Sequence, residues 1–484
     1  MPFTSRFLYH MDSVHFALAL DRYDLTLHQP HPPGYFIYIM LGRLLHYFIA
    51  DANLVFVIIS IFFSGCAVAT LYLLATEMFD ERIGLISALM AIVSPNLWFH
   101  GEVALTYAVE CFFSCLTALF CWRIIKGNHR AIWLSALTLA IAGGFRQNTV
   151  VFLMPLWLYS IKDVPLRRIL CACGIFSLIS LSWLVPMIRL SGGWERYHGA
   201  FRDLWLFNTG RNSVFNEGWS ALCYHSKNLA RFTIYGLGAG TPILCLAAYS
   251  IIRKRNYHSI DMHRAVFLST WGLPSFIFYL LIFIHHGNPG YTLIFLPALL
   301  ILTTLAIRYI SNEMRQLTGK SLFMPITSII IVVNTSLFLF SSHIISYQWI
   351  KTHNHNLPIL FDRLKPFSAS NSAIFIRPYF YYGYRQIMYY LPDCRVYSVD
   401  FSTTPSGEIM KTFWGMNRQT YLSDEIVLPG HVNRFGALLL YEDKDRLKKT
   451  SGLEISEAFP TAVIASGPIS RVKEIFPEVR IRVE

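Results

Sequence analysis

Residues 10–35 read HMDSVHFALALDRYDLTLHQPHPPGY. The stretch holds Asp12, Asp21 and Asp24 together with His10, His15, His28 and His31. Residues 34–49, GYFIYIMLGRLLHYFI, then open a series of strongly apolar segments. Titratable chemistry is therefore placed directly against a hydrophobic run. The HPPG step from His31 to Gly34 marks the junction: two prolines impose an extended approach, and the glycine permits a turn before a helix starts.

The whole chain agrees with a membrane setting. Its 484 residues are 54% hydrophobic and 14% charged, against about 25% charged residues in ordinary soluble domains. Aromatic residues make up 15%, which suits bilayer interfaces. The net charge of +12 sits mostly in short loops between apolar runs, and no basic stripe or nucleic-acid motif accompanies it. Nucleic acid is thus excluded as a partner. Of nine cysteines, seven lie in or beside apolar runs and read as small buried hydrophobes. Cys223 and Cys394 fall in polar stretches, and a disulfide between them is only weakly supported.

About ten or eleven apolar segments follow one another, near 34–49, 54–78, 83–99, 104–125, 131–146, 149–161, 168–190, 229–252, 265–284, 290–308 and 323–345. A spanning helix needs about 20 residues, so the first, which carries Arg43 and His46, reads as interfacial or re-entrant. The loops RIIKGNHR, KDVPLRR, IIRKRNYHSIDMHR and RYISNEMRQLTGK are basic and belong inside by the positive-inside rule. That orientation puts the opening stretch, Glu102, Arg146, residues 191–228, His285, His286 and the C-terminal part on the exterior. It also leaves roughly fifty residues outside before the first full span, so a first helix is expected to be missing from this sequence. Residues 191–228 mix aromatic and charged residues and predict an amphipathic helix on the outer leaflet. Residues 347–484 change character, with SAIFIRPY, CRVYSVD, GALLLYE and TAVIASG reading as strands and YYGYRQIMYYL as a helix. The expected fold is mainly α: a polytopic transmembrane bundle over 1–346, and a small exterior α/β domain over 347–484.

An exterior site at a bilayer has no nucleotide supply, so a group-transfer enzyme there must draw on a lipid-phosphate or lipid-diphosphate donor. Such chemistry needs a carboxylate to deprotonate an acceptor hydroxyl and cations or donors to hold the departing phosphate. Asp12, at the start of a short apolar helix, is the best base; its plain structural reading is an N-cap. Asp21 and Asp24 are weaker alternatives. His28 and His31 point into the proline corner and could contact a phosphate. Glu102 lies at an exterior helix end near His100 and Tyr107. Glu110 is deeper, where a carboxylate is costly, so it is either functional or paired with Arg146. Arg146 follows Gly143 and Gly144 and could hold a phosphate by two parallel hydrogen bonds, or snorkel to the interface. His285 and His286 invite a metal reading that no spaced carboxylate motif supports.

With these residues assembled, the chain resembles the GT-C class of polytopic glycosyltransferases, closest to the branch of protein O-mannosyltransferases and bacterial aminoarabinose transferases, glycosyltransferase family 39-like. The resemblance rests on MDSVHFALAL…HQPHPPGYFIYI, on FDERIG between two spans, on SPNLWFHGEVALTYAVECFF and on GNPGYTLIFLPALLIL, and covers roughly residues 9–345. It implies a sugar carried on polyprenyl phosphate and passed, with inversion, to a lipid, glycan or protein acceptor at the exterior face of a bacterial inner membrane. It gives Asp12 the role of catalytic base or of positioning the acceptor, and His31 that of donor-phosphate contact. Beside these, Glu102 would orient a substrate hydroxyl, Arg146 and His28 would assist at the phosphate, and Tyr107, Glu110, His285 and His286 would be accessory. In the family's second-loop acid position this sequence has Tyr107, and Asp12 is followed by Ser13 rather than a second acid. No cofactor or metal ligand set is firmly implied, and a divalent metal stays an open alternative. The rival functions are a lipid or sugar-lipid flippase, and an inactive GT-C-like subunit.

Overall fold

The computed structural model describes residues 2–210, 212–254, 261–376, 383–403, 409–414, 420–421, 425–440, 452–459, 462–477 and 480–483. It divides into two compact units. One contains Met1–Thr4 and Pro32–Trp349, the other Ser5–His31 and Ile350–Glu484. The division falls at Trp349–Ile350, and the opening stretch groups with the C-terminal residues rather than with the bundle. Helix α1 (Met11–Asp21) belongs to that second unit.

The bundle unit contains α2 (Phe36–His46), α3 (Ala52–Met78), α4 (Glu81–Ile92), α5 (Pro95–Gly101), α6 (Tyr107–Ile125), α7 (Ala131–Phe145), α8 (Gln147–Ser160), α9 (Leu166–Leu190), α10 (Trp194–Thr209), α11 (Val214–Leu237), α12 (Gly240–Lys254), α13 (Met262–Leu281), α14 (Leu296–Thr318) and α15 (Phe323–Phe340). By length and composition, α3, α6, α9, α13 and α15 can each cross a membrane. The bent pairs α4–α5 and α11–α12 would raise the number to seven. The chain is thus a multi-pass membrane protein. Helices α2 and α7 are shorter apolar helices, as the charged residues in α2 suggested.

Helix boundaries follow local chemistry. The FDER turn is a cap: the Asp80 side chain accepts from the Ile83 N–H at 2.9 Å. Arg146 is extended, with φ −156° and ψ 110°, and joins α7 directly to α8, as the absent loop predicts. Residues 191–228 are largely helical, in α10 and the first part of α11, and leave Trp194, Trp205, Phe215 and Trp219 exposed. The sequence reading erred at three other points. Segment 83–99 bends by 62° between α4 and α5, where Pro95 starts a new helix behind the Ser94 cap. The stretch Pro289–Ile294 is a 3-10 turn, and α14 then runs on to Thr318 through residues read as a loop. Cys171, Cys173 and Cys245 are exposed on apolar helices rather than buried, and all nine cysteines are free. An exposed thiol on a spanning helix is compatible with lipid.

The clearest departure is segment 229–252, which is two helices bent by 107°. Gly238, at φ 54° and ψ −127°, makes the break in a conformation open to glycine. A Cβ there would collide with the Asn334 side-chain amide. The break frees backbone groups that lipid cannot satisfy. Asn334 of α15 satisfies them, accepting from the Ala239 N–H at 2.8 Å and donating to Leu237 O at 3.2 Å. The prediction is direct. Asn334→Leu should cost about 1–3 kcal/mol of stability by orphaning both groups, seen as a lower melting temperature in detergent, whereas Thr233→Val should change it little.

In the second unit, α16 (Tyr347–Leu364, from Ile350 on) and α17 (Tyr384–Tyr390) cover one face of a seven-stranded sheet. The strands are β1 (Ser372–Ile376), β2 (Val396–Thr403), β3 (Ile409–Trp414), β4 (Thr420–Tyr421), β5 (Glu425–Leu428), β6 (Arg434–Leu440), β7 (Glu454–Phe459), β8 (Ala462–Pro468) and β9 (Arg480–Val483). The order is β4-β3-β2-β1-β6-β8-β7, and β5 pairs with β9 separately. Central β1 is parallel to both β2 and β6. Its alternate residues serve two cores: Ile374 and Ile376 pack with Leu360, Leu364 and Ile387, while Ala373 and Phe375 pack with Ile426, Leu428 and Phe476. This explains a continuous apolar run in place of alternation. All four strands read from the sequence are present, as is the helix. Arg377–Tyr379 of SAIFIRPY, Tyr441 and Glu442 of GALLLYE, Thr461 of TAVIASG and Tyr381–Tyr382 before the helix lie outside the described residues.

Candidate functional site

The opening stretch folds against the helical face of its own unit. The Leu8 N–H donates to Tyr390 Oη at 2.8 Å and the Arg6 N–H to Asn354 Oδ1 at 2.8 Å. Phe7 meets the rings of Phe361 and Tyr390 edge-on. Arg385 donates Nη2 to Leu27 O at 3.3 Å. Helix α1 buries Val14, Phe16, Ala17, Ala19 and Leu20.

The first turn of α1 decides the chemistry. Its N-cap is His10, not Asp12. The His10 Nδ1 accepts from the Asp12 N–H at 3.0 Å, and Ser13 Oγ accepts from the His10 N–H at 3.2 Å. This reciprocal arrangement is a capping box built from unusual residues. It leaves the Asp12 carboxylate uncommitted to capping. Asp12 Oδ2 lies 3.4 Å from His10 Nδ1, and Oδ1 lies 3.7 Å from His31 Nδ1 and 4.0 Å from His15 Nδ1. The two latter imidazoles approach each other at 3.3 Å through Nδ1, one donating and one accepting according to tautomer. His28, in the left-handed region at φ 53°, sets its ring edge-on to His15.

Burial alone would raise the Asp12 carboxyl; the His31 and His10 imidazoles outweigh it and hold the group below the usual carboxylate range. Asp12 is therefore ionised at neutral pH, and its side chain keeps 21% exposure. His15 behaves oppositely. Burial, reinforced by the Arg385 charge, pushes it well below its ordinary value, so it is neutral. Arg385 itself is fully buried. Its Nε and Nη1 have no hydrogen-bond partner, and no carboxylate pairs with it among the described residues. A buried guanidinium without a counter-ion is costly, and its unfilled donors suit an anion.

The same stretch holds Asp24, which the structure commits to a turn: it accepts from the Thr26 N–H and hydroxyl and pairs with Arg22. Sequence reasoning selected Asp12, His28 and His31 here and missed His10, His15 and Arg385. His15 stands three residues after Asp12, one helical turn on, and that spacing was a readable signal. Arg385 carried none beyond being a cation in an aromatic helix.

The other candidates lie in the bundle unit. Arg146 Nε stands 3.6 Å from Glu110 Oε2, with Nη1 donating to Thr106 Oγ1 at 3.3 Å and the guanidinium over the Tyr107 ring. Thr149 donates to the other Glu110 oxygen at 3.3 Å. Both charges are buried, so the pairing weighed for Glu110 is present. Tyr107 also meets the rings of His100 and Tyr291. Gly290 is required beside it, since a Cβ there would run into the Tyr107 ring. Glu102 is half-buried and accepts from Trp98 Nε1 at 3.2 Å. The His285 and His286 rings lie 4.6 Å apart, tilted by 32°, and Tyr224 Oη lies 3.1 Å from His286 Nδ1. They join no group of three metal-ligating side chains among the described residues.

Comparison with solved structures decides the architecture. ArnT from Cupriavidus metallidurans in the apo state superposes with a TM-score of 0.54 over 96% of this chain and 94% of that one, at 12% identity. The chain has the ArnT fold. That is the GT-C architecture expected from the sequence. ArnT bound to undecaprenyl phosphate matches similarly, with a TM-score of 0.53 over 95% of this chain and 94% of that one, at 11% identity. By sequence, residues 22–166 match the model of the protein O-mannosyl-transferase TMEM260 N-terminal domain. No curated protein matches the chain. The family match begins after α1, so it includes His28 and His31 but not Asp12.

The Arg146–Glu110 pair makes its own prediction. Glu110→Ala, which leaves a buried charge unpaired, should destabilise by about 3–5 kcal/mol. Replacing both by Leu and Met should cost less. Thermal unfolding of the three variants in detergent measures the difference.

Proposed function

We propose that the protein is a membrane glycosyltransferase that moves a sugar from a polyprenyl-phosphate donor to an acceptor hydroxyl at the exterior membrane face. The observation that carries this reading is the Asp12 carboxylate: ionised, partly exposed, relieved of capping by His10 and Ser13, and ringed by imidazoles. The ArnT fold and the O-mannosyl-transferase family match support the reaction class. The solved complex of ArnT with undecaprenyl phosphate supports a lipid-phosphate donor.

The roles follow from the chemistry. Asp12 accepts the proton of the acceptor hydroxyl as its oxygen bonds to the anomeric carbon. The bond from that carbon to the phosphate oxygen breaks, and polyprenyl phosphate departs with the electron pair. Direct displacement inverts the anomeric configuration. His31 and the unpaired donors of Arg385 meet the phosphate, whose charge rises as it leaves. The basic character of the loops assigned to the inside supports an exterior location for this chemistry.

Purified protein incubated with radiolabelled polyprenyl-phosphate sugars should release the label to an acceptor. Asp12→Asn should cut the transfer rate by about 100-fold or more while melting like the wild type. Arg385→Gln should weaken donor use, seen mainly as a raised KM. Full activity of Asp12→Asn would overturn the assignment, and movement of intact donor across vesicles without sugar release would favour a flippase.

A further inference from the structure

The Asp12 cluster has the form of a metal site. Asp12 Oδ1, His15 Nδ1 and His31 Nδ1 lie 3.3, 3.7 and 4.0 Å from one another. They form the one group of three candidate ligands among the described residues whose atoms converge within 4.8 Å. A tetrahedral zinc ion with bonds of about 2.0–2.1 Å separates its ligand atoms by about 3.3–3.4 Å. The imidazole pair already meets that spacing. The carboxylate needs to move inward by only a few tenths of an ångström. Two imidazoles and one carboxylate leave a fourth position open, the arrangement of an ion that also takes a substrate oxygen.

The ligands are also well supported. Asp12 and His15 ride on successive turns of α1, whose N-terminus is locked by the His10–Ser13 exchange. His31 follows two residues after the loop closed by the Asp24–Gln29 bridge, and its ring packs against Phe16 of α1 at 5.8 Å. His15 is 3% exposed and His31 14%, so neither is a loose surface ligand. Asp12 Oδ2 faces His10 and stays outside the triad.

We infer that Asp12, His15 and His31 bind one divalent ion of the zinc type, leaving its fourth position for an anionic oxygen. Two nitrogen ligands select an ion that favours imidazole, such as zinc or cobalt, over magnesium or calcium. The site goes beyond the proposed transfer reaction: with the ion bound, Asp12 Oδ1 and His31 would serve as ligands, Asp12 Oδ2 would remain for the proton, and the open position rather than the His31 ring would meet the phosphate; ion binding itself is read without any donor.

The test uses the full-length protein in detergent, stripped with chelator and then dialysed against zinc. Elemental analysis should find one zinc per chain, and calorimetry a single tight site. His15→Ala and His31→Ala should each weaken binding at least tenfold, while the His285→Ala/His286→Ala double variant should bind like the wild type. Cobalt on the unmutated protein supplies a readout that needs no variant: visible d–d absorption of tetrahedral strength is expected. Absence of stoichiometric zinc in the wild type, or unchanged binding after loss of both His15 and His31, would overturn the site. Either result would leave the Asp12→Asn transfer experiment intact as a separate test of the glycosyltransferase reading.

Discussion

The segment Ser5–His31 is too short to fold alone, and the candidate site depends on what holds it. An isolated helix of eleven residues is marginal in water. Helix α1 persists because it is buried nearly all round and because Leu8, Phe7 and Arg6 fasten its approach to α16 and α17. Once α1 is docked, its N-terminus must be satisfied, and His10 and Ser13 do this reciprocally. That exchange leaves the Asp12 carboxylate free of capping, as the base role proposed for it requires. Packing, capping and reactivity are therefore consecutive links of one chain of cause.

The bundle solves a different problem. Its polar groups are dispersed through apolar helices, where water is scarce, and several of them find a specific neighbour. Asn334 repairs the break at Gly238, Ser94 donates to the Gly236 carbonyl, and Asn96 reaches Pro289 and Thr292. Glu110 and Arg146 answer each other. The break at Gly238 is tolerated because the backbone groups at Gly236, Leu237 and Ala239 are met by side chains rather than by lipid.

The two units also use charge differently. In the bundle the buried acid and base are paired, which suits a structural role that must survive a low-dielectric setting. In the second unit, among the described residues, Arg385 is buried without an acid and Asp12 is ringed by imidazoles rather than by a lysine or arginine partner. Such unbalanced arrangements hold options open for a ligand, whether phosphate or ion. They are where sequence logic of self-consistent pairing breaks down, which is one reason they carry the proposed function.

Much was legible in the chain itself. Composition and apolar length announce a multi-pass membrane protein, because about twenty residues without charge have few other uses. Period-two and continuous apolar runs marked β1, β2, β6 and β8. Asp12 and His31 stood out as titratable groups beside a Pro-Pro corner. What the sequence could not determine was partnership over distance. That Ser5–His31 joins residues beyond 350, that Asn334 mends a break far earlier at Gly238, and that Arg385 comes to the neighbourhood of His15 are consequences of packing. Local propensity carries no record of which buried group will answer another. Only the tertiary structure, which must satisfy all of them at once, decides it.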